Sequence, residues 1–477
     1  MSTPAYFLQS ILVSPVTLVF GPVAGLNIAI ILGPVVSALS AAIVYHKITH
    51  SDLSLISGFV FGFSRLLLQA STRGHLHVTW LFGIPLVFYI FWLIYTESIG
   101  HFKAGIWLGL VLTLQFYAGV EMLVISLFWI AALGFMAIVF NFRNTVSKLP
   151  NIVKTLILSG AISLFLCSYP LYWFFYGSQH TIAAMPNNGE EDVASLFFPY
   201  RYGFQPFTSH FRAVSISFIA VAVVVIGINR IFKTSMGRYG FCVAVLSVIA
   251  AMGKNINLTP FIRISPNFVN YLLQKVPLIS VAYFRRFIYI STFFFGLCII
   301  YCLKTFSKKF KVMVSVLIVL NSLWLGTPNF GNQVVLNTNP VLSTNYIHFG
   351  SLVWVYPQPS ILNGNPLTYD AQSNYEYRLI GGYGFIPYHN KASFYEPPSP
   401  LGVYVLFQQV THFKNSPTKQ QIQIVVNYVK SSKITYLVIY DLNEHRQLYE
   451  LLTLIFGTAK VVGNNAVWYF PQYKNYH

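Results

Sequence analysis

Acidic residues are scarce in this sequence. Of 477 positions, twelve are Asp or Glu against thirty Lys or Arg, and only 9% of residues carry a formal charge. A soluble globular chain carries about 25% charged residues, so this composition cannot build an ordinary solvated surface. Cysteine is rarer still. Cys167, Cys242, Cys298 and Cys302 all fall inside apolar stretches, so they read as small buried hydrophobes and not as a disulfide or metal framework. Also missing are a Walker phosphate loop, a dinucleotide fingerprint, a nucleophile elbow and an HExxH zinc motif, which leaves the chemistries those motifs signal without support.

What is present is apolar sequence: 55% of residues are hydrophobic and the mean hydropathy is +0.60. The chain reads as an integral membrane protein whose first partner is the lipid bilayer. The formal charge of +18 does not point to nucleic acid, because the basic residues come in twos and threes between long apolar runs.

A spanning helix needs about 20 mostly apolar residues. About ten segments fit: 22–45, 52–70, 77–97, 104–117, 119–141, 153–176, 213–231, 237–253, 286–304 and 310–327. Lys and Arg concentrate in cytoplasmic loops. Lys47, Lys103, Arg143, Lys148, Lys154, Arg230, Lys233, Arg238, Lys304, Lys308, Lys309 and Lys311 all occupy one alternating set of connections, so that set is expected inside. The N-terminus, the turn near 71–77, the turn at Glu121, the loops 177–212 and 254–285, and everything after residue 328 are then expected outside. The result is a mainly α, multi-pass cell-membrane protein, with residues 1–327 as the transmembrane domain and 328–477 as an extracytoplasmic α/β domain. In that second part 418–431 and 443–456 have helical apolar spacing, ITYLVIY (434–440) reads as a buried strand, and VVGNNAVWYF offers a hairpin turn.

Candidate functional residues stand out by contrast with this apolar background. Glu121 lies in LQFYAGVEML near the expected outer surface, where an ionisable group is either functional or a helix-end carboxylate reaching interfacial water. Arg285 and Arg286, in VPLISVAYFRRFIYIS, open a late helix from outside. Paired guanidiniums there suit a phosphate head group, since each can bind it through two hydrogen bonds, or else snorkel to the membrane interface. Arg73 and His75 stand in STRGHLHVTW with His77. The two histidines would point to different sides of a helix and have no third ligand at zinc-like spacing, so no metal site is assigned to them. Arg201 follows in FFPYRYGFQPF, where aromatic rings beside arginine suit a sugar or a phosphate, or form an interfacial belt. The acidic run Glu190, Glu191 and Asp192 reads as a solvated loop tip, with a divalent cation as the alternative.

Several stretches, taken in order, resemble the multi-pass membrane glycosyltransferases of the GT-C type. They are GPVAGLNIAIILGPVVSALSAAIVY, GFVFGFSRLLLQASTRGHLHVTWLFGIPLVFYIFWLIY, LQFYAGVEMLVI, VPLISVAYFRRF, ILNGNPLTYDAQSNYEYRLIGGY and ITYLVIY. The resemblance implies transfer of a sugar from a polyprenyl-phosphate donor to a glycan, lipid or protein acceptor at the outer membrane face. It also implies an Asp in an early outer loop, and here the sequence departs: residues 1–50 contain no Asp or Glu. That gap and an outward N-terminus lead to the same expectation, that the family's first helix and acidic loop are missing and that the chain is a truncated or inactive member. Within the resemblance, Glu121 is the candidate for deprotonating the acceptor. Arg73, His75, Arg201, Arg285 and Arg286 are the candidates for holding the donor. A lipid-linked glycan transporter or flippase, or a membrane scaffold without chemistry, stays open beside it.

Overall fold

The computed structural model describes residues 6–72, 75–176, 217–257, 263–276, 279, 284–326, 339–344, 346–357, 369, 373, 376–380, 385–388, 391–394, 407 and 418–473. Arg73, Arg201 and the 190–192 acidic run lie outside them, as does the whole of the 177–212 loop. The chain divides into two compact units, the first formed mainly by residues up to Gly331 and the second mainly by Asn332–His477.

The first unit is helical. In chain order it contains α1 (Phe7–Phe20), α2 (Pro22–Thr49), α3 (Ser54–Gly62), α4 (Arg65–Thr72), α5 (Gly83–Tyr95), α6 (His101–Ala118), α7 (Val120–Phe140), α8 (Phe142–Leu166) and α9 (Ser168–Tyr176). There follow α10 (Phe218–Ile226), α11 (Ile228–Ile231), α12 (Ser235–Ala251), α13 (Phe268–Leu273), α14 (Phe287–Leu303) and α15 (Lys308–Gly326). Each of the ten expected segments coincides with one or two of these helices. Among the described residues, five helices are long and apolar enough to cross a membrane, or up to six if α3 and α4, bent by 48°, form one span. Among the reasons for the smaller number, 213–231 breaks at Gly227 into two short helices, and 237–253 forms a helix of only 17 residues, Ser235–Ala251.

Small residues bring the helices together. A Cβ at Gly58 would stand 2.6 Å from the Ala38 carbonyl oxygen, and one at Gly62 would stand 2.5 Å from that of Pro34, so α3 lies backbone against backbone on α2. Gly105 and Gly109 of α6 instead leave room for side chains of α8, those of Leu158 and Ile162. Close approach of this kind is how helices gain packing energy where lipid is as apolar as leucine.

The packing centres on α14, whose residues are nearly all buried. Its Phe293 ring stacks on Tyr45 at 5.1 Å and meets Phe61 and Phe88 edge-on at 5.6 and 5.5 Å. The Tyr45 hydroxyl also donates a hydrogen bond to the Phe293 carbonyl. The 254–285 stretch, expected as an outer loop, contains the short antiparallel pair β1 (Ile256–Asn257) and β2 (Arg263–Ile264), followed by α13.

The second unit contains a five-stranded mixed sheet. Its strands are β3 (Leu352–Tyr356), β4 (Arg378–Leu379), β7 (Tyr436–Tyr440), β8 (Lys460–Val462) and β9 (Asn465–Tyr469), in the order β4-β3-β7-β9-β8. A separate antiparallel pair is formed by β5 (Phe385–Tyr388) and β6 (Lys391–Phe394). Strand β3 is parallel to β4 and β7, while β9 is antiparallel to β7 and β8. Alternation along the central strands buries both faces. Trp354, Tyr356, Leu437 and Ile439 pack against α16 (Lys419–Ser431) and α17 (Arg446–Phe456), whereas Val353, Val355, Tyr436 and Val438 pack on Val341, Leu342 and Ile347. Helix α16 starts with a capping box, Thr418 and Gln421 bonding each other's backbone N–H groups. The indole of Trp354, 1% exposed, stacks on Phe407 at 5.0 Å. Trp354→Ala is therefore expected to destabilise this unit by about 3–5 kcal/mol. Limited proteolysis of the full chain with rising urea checks it, as faster cleavage within 340–470.

Candidate functional site

The site is built on a break in the helices. Between α4 and α5 the backbone makes a 3-10 turn at Leu76–Val78 and runs irregularly to Gly83. An unsatisfied backbone group in apolar surroundings costs several kcal/mol, and here neighbouring helices provide the partners. The Ser37 hydroxyl donates to the Thr79 carbonyl at 2.8 Å and accepts from the Leu81 N–H at 2.8 Å. The Gln115 amide oxygen accepts from the Gly83 N–H at 2.9 Å, and its nitrogen donates to the Trp80 carbonyl at 3.2 Å. The Trp80 indole donates to the Ala29 carbonyl at 3.1 Å. Ser37 and Gln115 are buried, so these bonds fix the turn between α2 and α6.

One helical turn beyond Gln115, Gly119 separates α6 from α7. A Cβ there would lie 2.1 Å from the His77 carbonyl oxygen, a contact no side chain tolerates. Only glycine allows this approach, and it carries Glu121, in the first turn of α7, to the edge of the histidine turn. Glu121 forms an ion pair with Arg286, and both side chains are roughly three-quarters covered, at 27% and 21% exposure. Arg286 ends the 3-10 turn Phe284–Arg286 that leads into α14, with Arg285 buried beside it at 8% exposure. Trp129, near the middle of α7, meets Phe287 at the start of α14 edge-on at 6.0 Å.

The helix dipole places partial positive charge at the start of α14, and two guanidiniums add to it. A carboxylate at that point is what electrostatics requires, and Glu121 provides one. His75 feels the same field. Burial first, and then the Arg286 charge, hold its pKa below the ordinary histidine value, so it is a neutral hydrogen-bonding group at pH 7.

Of the residues expected from sequence, the structure brings Glu121, Arg286 and His75 together, with Arg285 adjacent to Arg286. Arg73 and Arg201 are outside the described residues. Residues 75–78 are not α-helical, so the helix geometry that would turn His75 and His77 apart does not apply, and the rings stand edge to face at 5.9 Å. Sequence reasoning missed Tyr6, whose hydroxyl shares a hydrogen bond with His77 Nδ1 at 2.9 Å. It also missed the supporting pair Ser37 and Gln115. Small and amide side chains within apolar runs were the available signal. Among the described residues no group of three His, Cys, Asp or Glu side chains is arranged to hold a metal ion.

No protein-family model matches the chain, and no curated protein sequence matches it. Among solved structures it is similar to the crystal structure of ArnT from Cupriavidus metallidurans in the apo state. The match covers 96% of this chain and 86% of that one, at 10% identity and a TM-score of 0.39. A likeness that loose carries no argument about what this chain does.

Two predictions test the geometry. Gly119→Ala must push α7 away from the His77 carbonyl and should lower the melting temperature in detergent by several degrees. Gly134→Ala, on the same helix with open space at its Cβ, should leave it within a degree or so. The second concerns pH. Because folding holds the His75 pKa below its ordinary value, the residue's contribution to stability is full above about pH 6.5 and is lost as pH falls below it. Melting temperatures measured from pH 7.5 to 5 should decline, and His75→Gln should make that decline shallower.

Proposed function

We propose that this is a membrane glycosyltransferase of the GT-C kind, which moves a sugar from a polyprenyl-phosphate donor to an acceptor hydroxyl at the outer membrane face. The observation that carries the reading is the Glu121–Arg286 ion pair, standing beside a neutral His75 where α7, α14 and the 75–83 turn converge. The ordered sequence resemblance described above agrees with it. By the distribution of lysine and arginine in the loops, this end of the helical unit faces out of the cell, as does the chain after residue 328.

The pair would work by exchange of counterions. A donor phosphate arriving at Arg286 and Arg285 takes over the role of Glu121, because a phosphate matches two guanidiniums better than one carboxylate does. Glu121 is then free to accept the proton of the acceptor hydroxyl. The acceptor oxygen attacks the anomeric carbon, and the bond from that carbon to the phosphate oxygen breaks. The departing lipid phosphate keeps the electron pair, and the two guanidiniums stabilise its charge. His75 would orient the donor as a neutral hydrogen-bonding group. Arg73 and Arg201 are proposed to complete the donor contacts.

The test uses membranes loaded with labelled polyprenyl-phosphate sugar. Glu121→Gln should retain the donor and lose transfer by about a hundredfold or more, while Arg286→Gln should lose donor retention itself. Undiminished transfer by Glu121→Gln would remove that residue as the base. Donor binding and translocation across the bilayer, with no sugar transferred by the wild type, would establish the transporter reading instead.

A further inference from the structure

The opposite end of α14 borders a second feature that the donor site leaves unused. A groove of about 670 Å3 runs between residues 50–56, which lead into α3, and residues 304–320, which span the end of α14 and most of α15. That volume is in the range of lipid and cofactor sites. Its mouth carries Lys304, Lys308 and Lys311 against a single carboxylate, Asp52. Lys304 donates to the Thr49 carbonyl at 3.3 Å, closing the C-terminus of α2. Among the described residues neither Lys308 nor Lys311 has a carboxylate within ion-pairing distance. The groove therefore presents a surplus of positive charge at the start of a 19-residue helix, where the dipole has the same sign.

Past the lysines the groove turns apolar with a regular spacing. Lys308, Val312, Val316 and Leu320 succeed one another every four residues, so they form one stripe along α15. The three apolar members line the groove yet remain 56%, 50% and 57% exposed, with Ile56 of α3 on the facing wall. A cationic mouth joined to an apolar stripe of about 12 Å, eight residues at 1.5 Å each, matches a phosphate head group with an acyl chain attached. It fits neither a free anion, which would leave the stripe uncovered, nor a neutral lipid, which would leave the lysines unmatched.

We infer that this groove is a binding site for an anionic glycerophospholipid of the cytoplasmic leaflet, with its phosphate held by Lys308 and Lys311 and one chain lying along Val312, Val316 and Leu320. Sidedness follows from the same lysines, which belong to the loop set assigned to the cytoplasm.

Native mass spectrometry of the full chain in detergent tests the assignment, with phosphatidylglycerol and phosphatidylcholine offered in equal amounts. Phosphatidylglycerol should be retained in preference, and Lys308→Gln with Lys311→Gln should cut that retention by about tenfold or more. Lys308→Arg with Lys311→Arg should keep it. Equal retention of the two lipids, or undiminished retention by the glutamine pair, would overturn the proposal. Displacement of the lipid by free glycerol phosphate at the same concentration would reassign the groove to a soluble phosphate. Should the glutamine pair fail to fold, Val316→Trp fills the apolar stripe with both lysines intact. Retention should fall in that variant, and unchanged retention would count against the site.

Discussion

Everything at the candidate site depends on one requirement: a backbone that leaves helical geometry in apolar surroundings must find hydrogen-bond partners within the protein. Residues 75–83 leave it. Ser37 and Gln115 each satisfy two groups of that segment, and Trp80 ties it to α2. The histidine turn is consequently held where the absence of a side chain at Gly119 lets α7 start against it. Glu121, in the first turn of α7, is thereby placed where it meets Arg286. The ionic chemistry is a late consequence of neutral hydrogen bonds formed deeper in the bundle.

Much of this was legible in the sequence, for reasons that differ by region. The helical stretches could be read because apolar residues in long runs have few other uses, and 22–45 and 119–141 became α2 and α7 nearly as expected. ITYLVIY could be read as a strand because β-branched and aromatic residues without a polar face fit a sheet covered on both sides, and β7 is buried at every position. The turn in VVGNNAVWYF became the β8–β9 hairpin, with Gly463 at positive φ. The breaks within apolar runs were harder. Hydropathy does not register a backbone departure that is satisfied internally, so the bend between α3 and α4 and the irregular stretch from 77 to 83 were hidden inside what looked like continuous spans.

The site divided along the same line. Glu121, Arg285 and Arg286 were visible because a charge in apolar sequence stands out, whatever its partner. Their pairing was not, since 165 positions separate Glu121 from Arg286 and nothing in one sequence ties them. Tyr6 was invisible because tyrosine is common here, with 31 copies. Its value comes only from facing His77. The two GxxxG pairs, Gly58–Gly62 and Gly105–Gly109, belong to a middle class: the motif was on the page, but its meaning required knowing which helix lies opposite.

The enclosure of α14 has a geometric consequence. Its 17 residues span about 26 Å at 1.5 Å per residue, somewhat less than the roughly 30 Å hydrocarbon thickness of a bilayer. Arg286 stands immediately before it and Lys304 immediately after. The helix is thus a ruler with a fixed cation at each end, and packing on all sides prevents it from sliding along its axis. Because neighbouring helices and not lipid surround it, the two cations keep their spacing whatever the thickness of the bilayer outside.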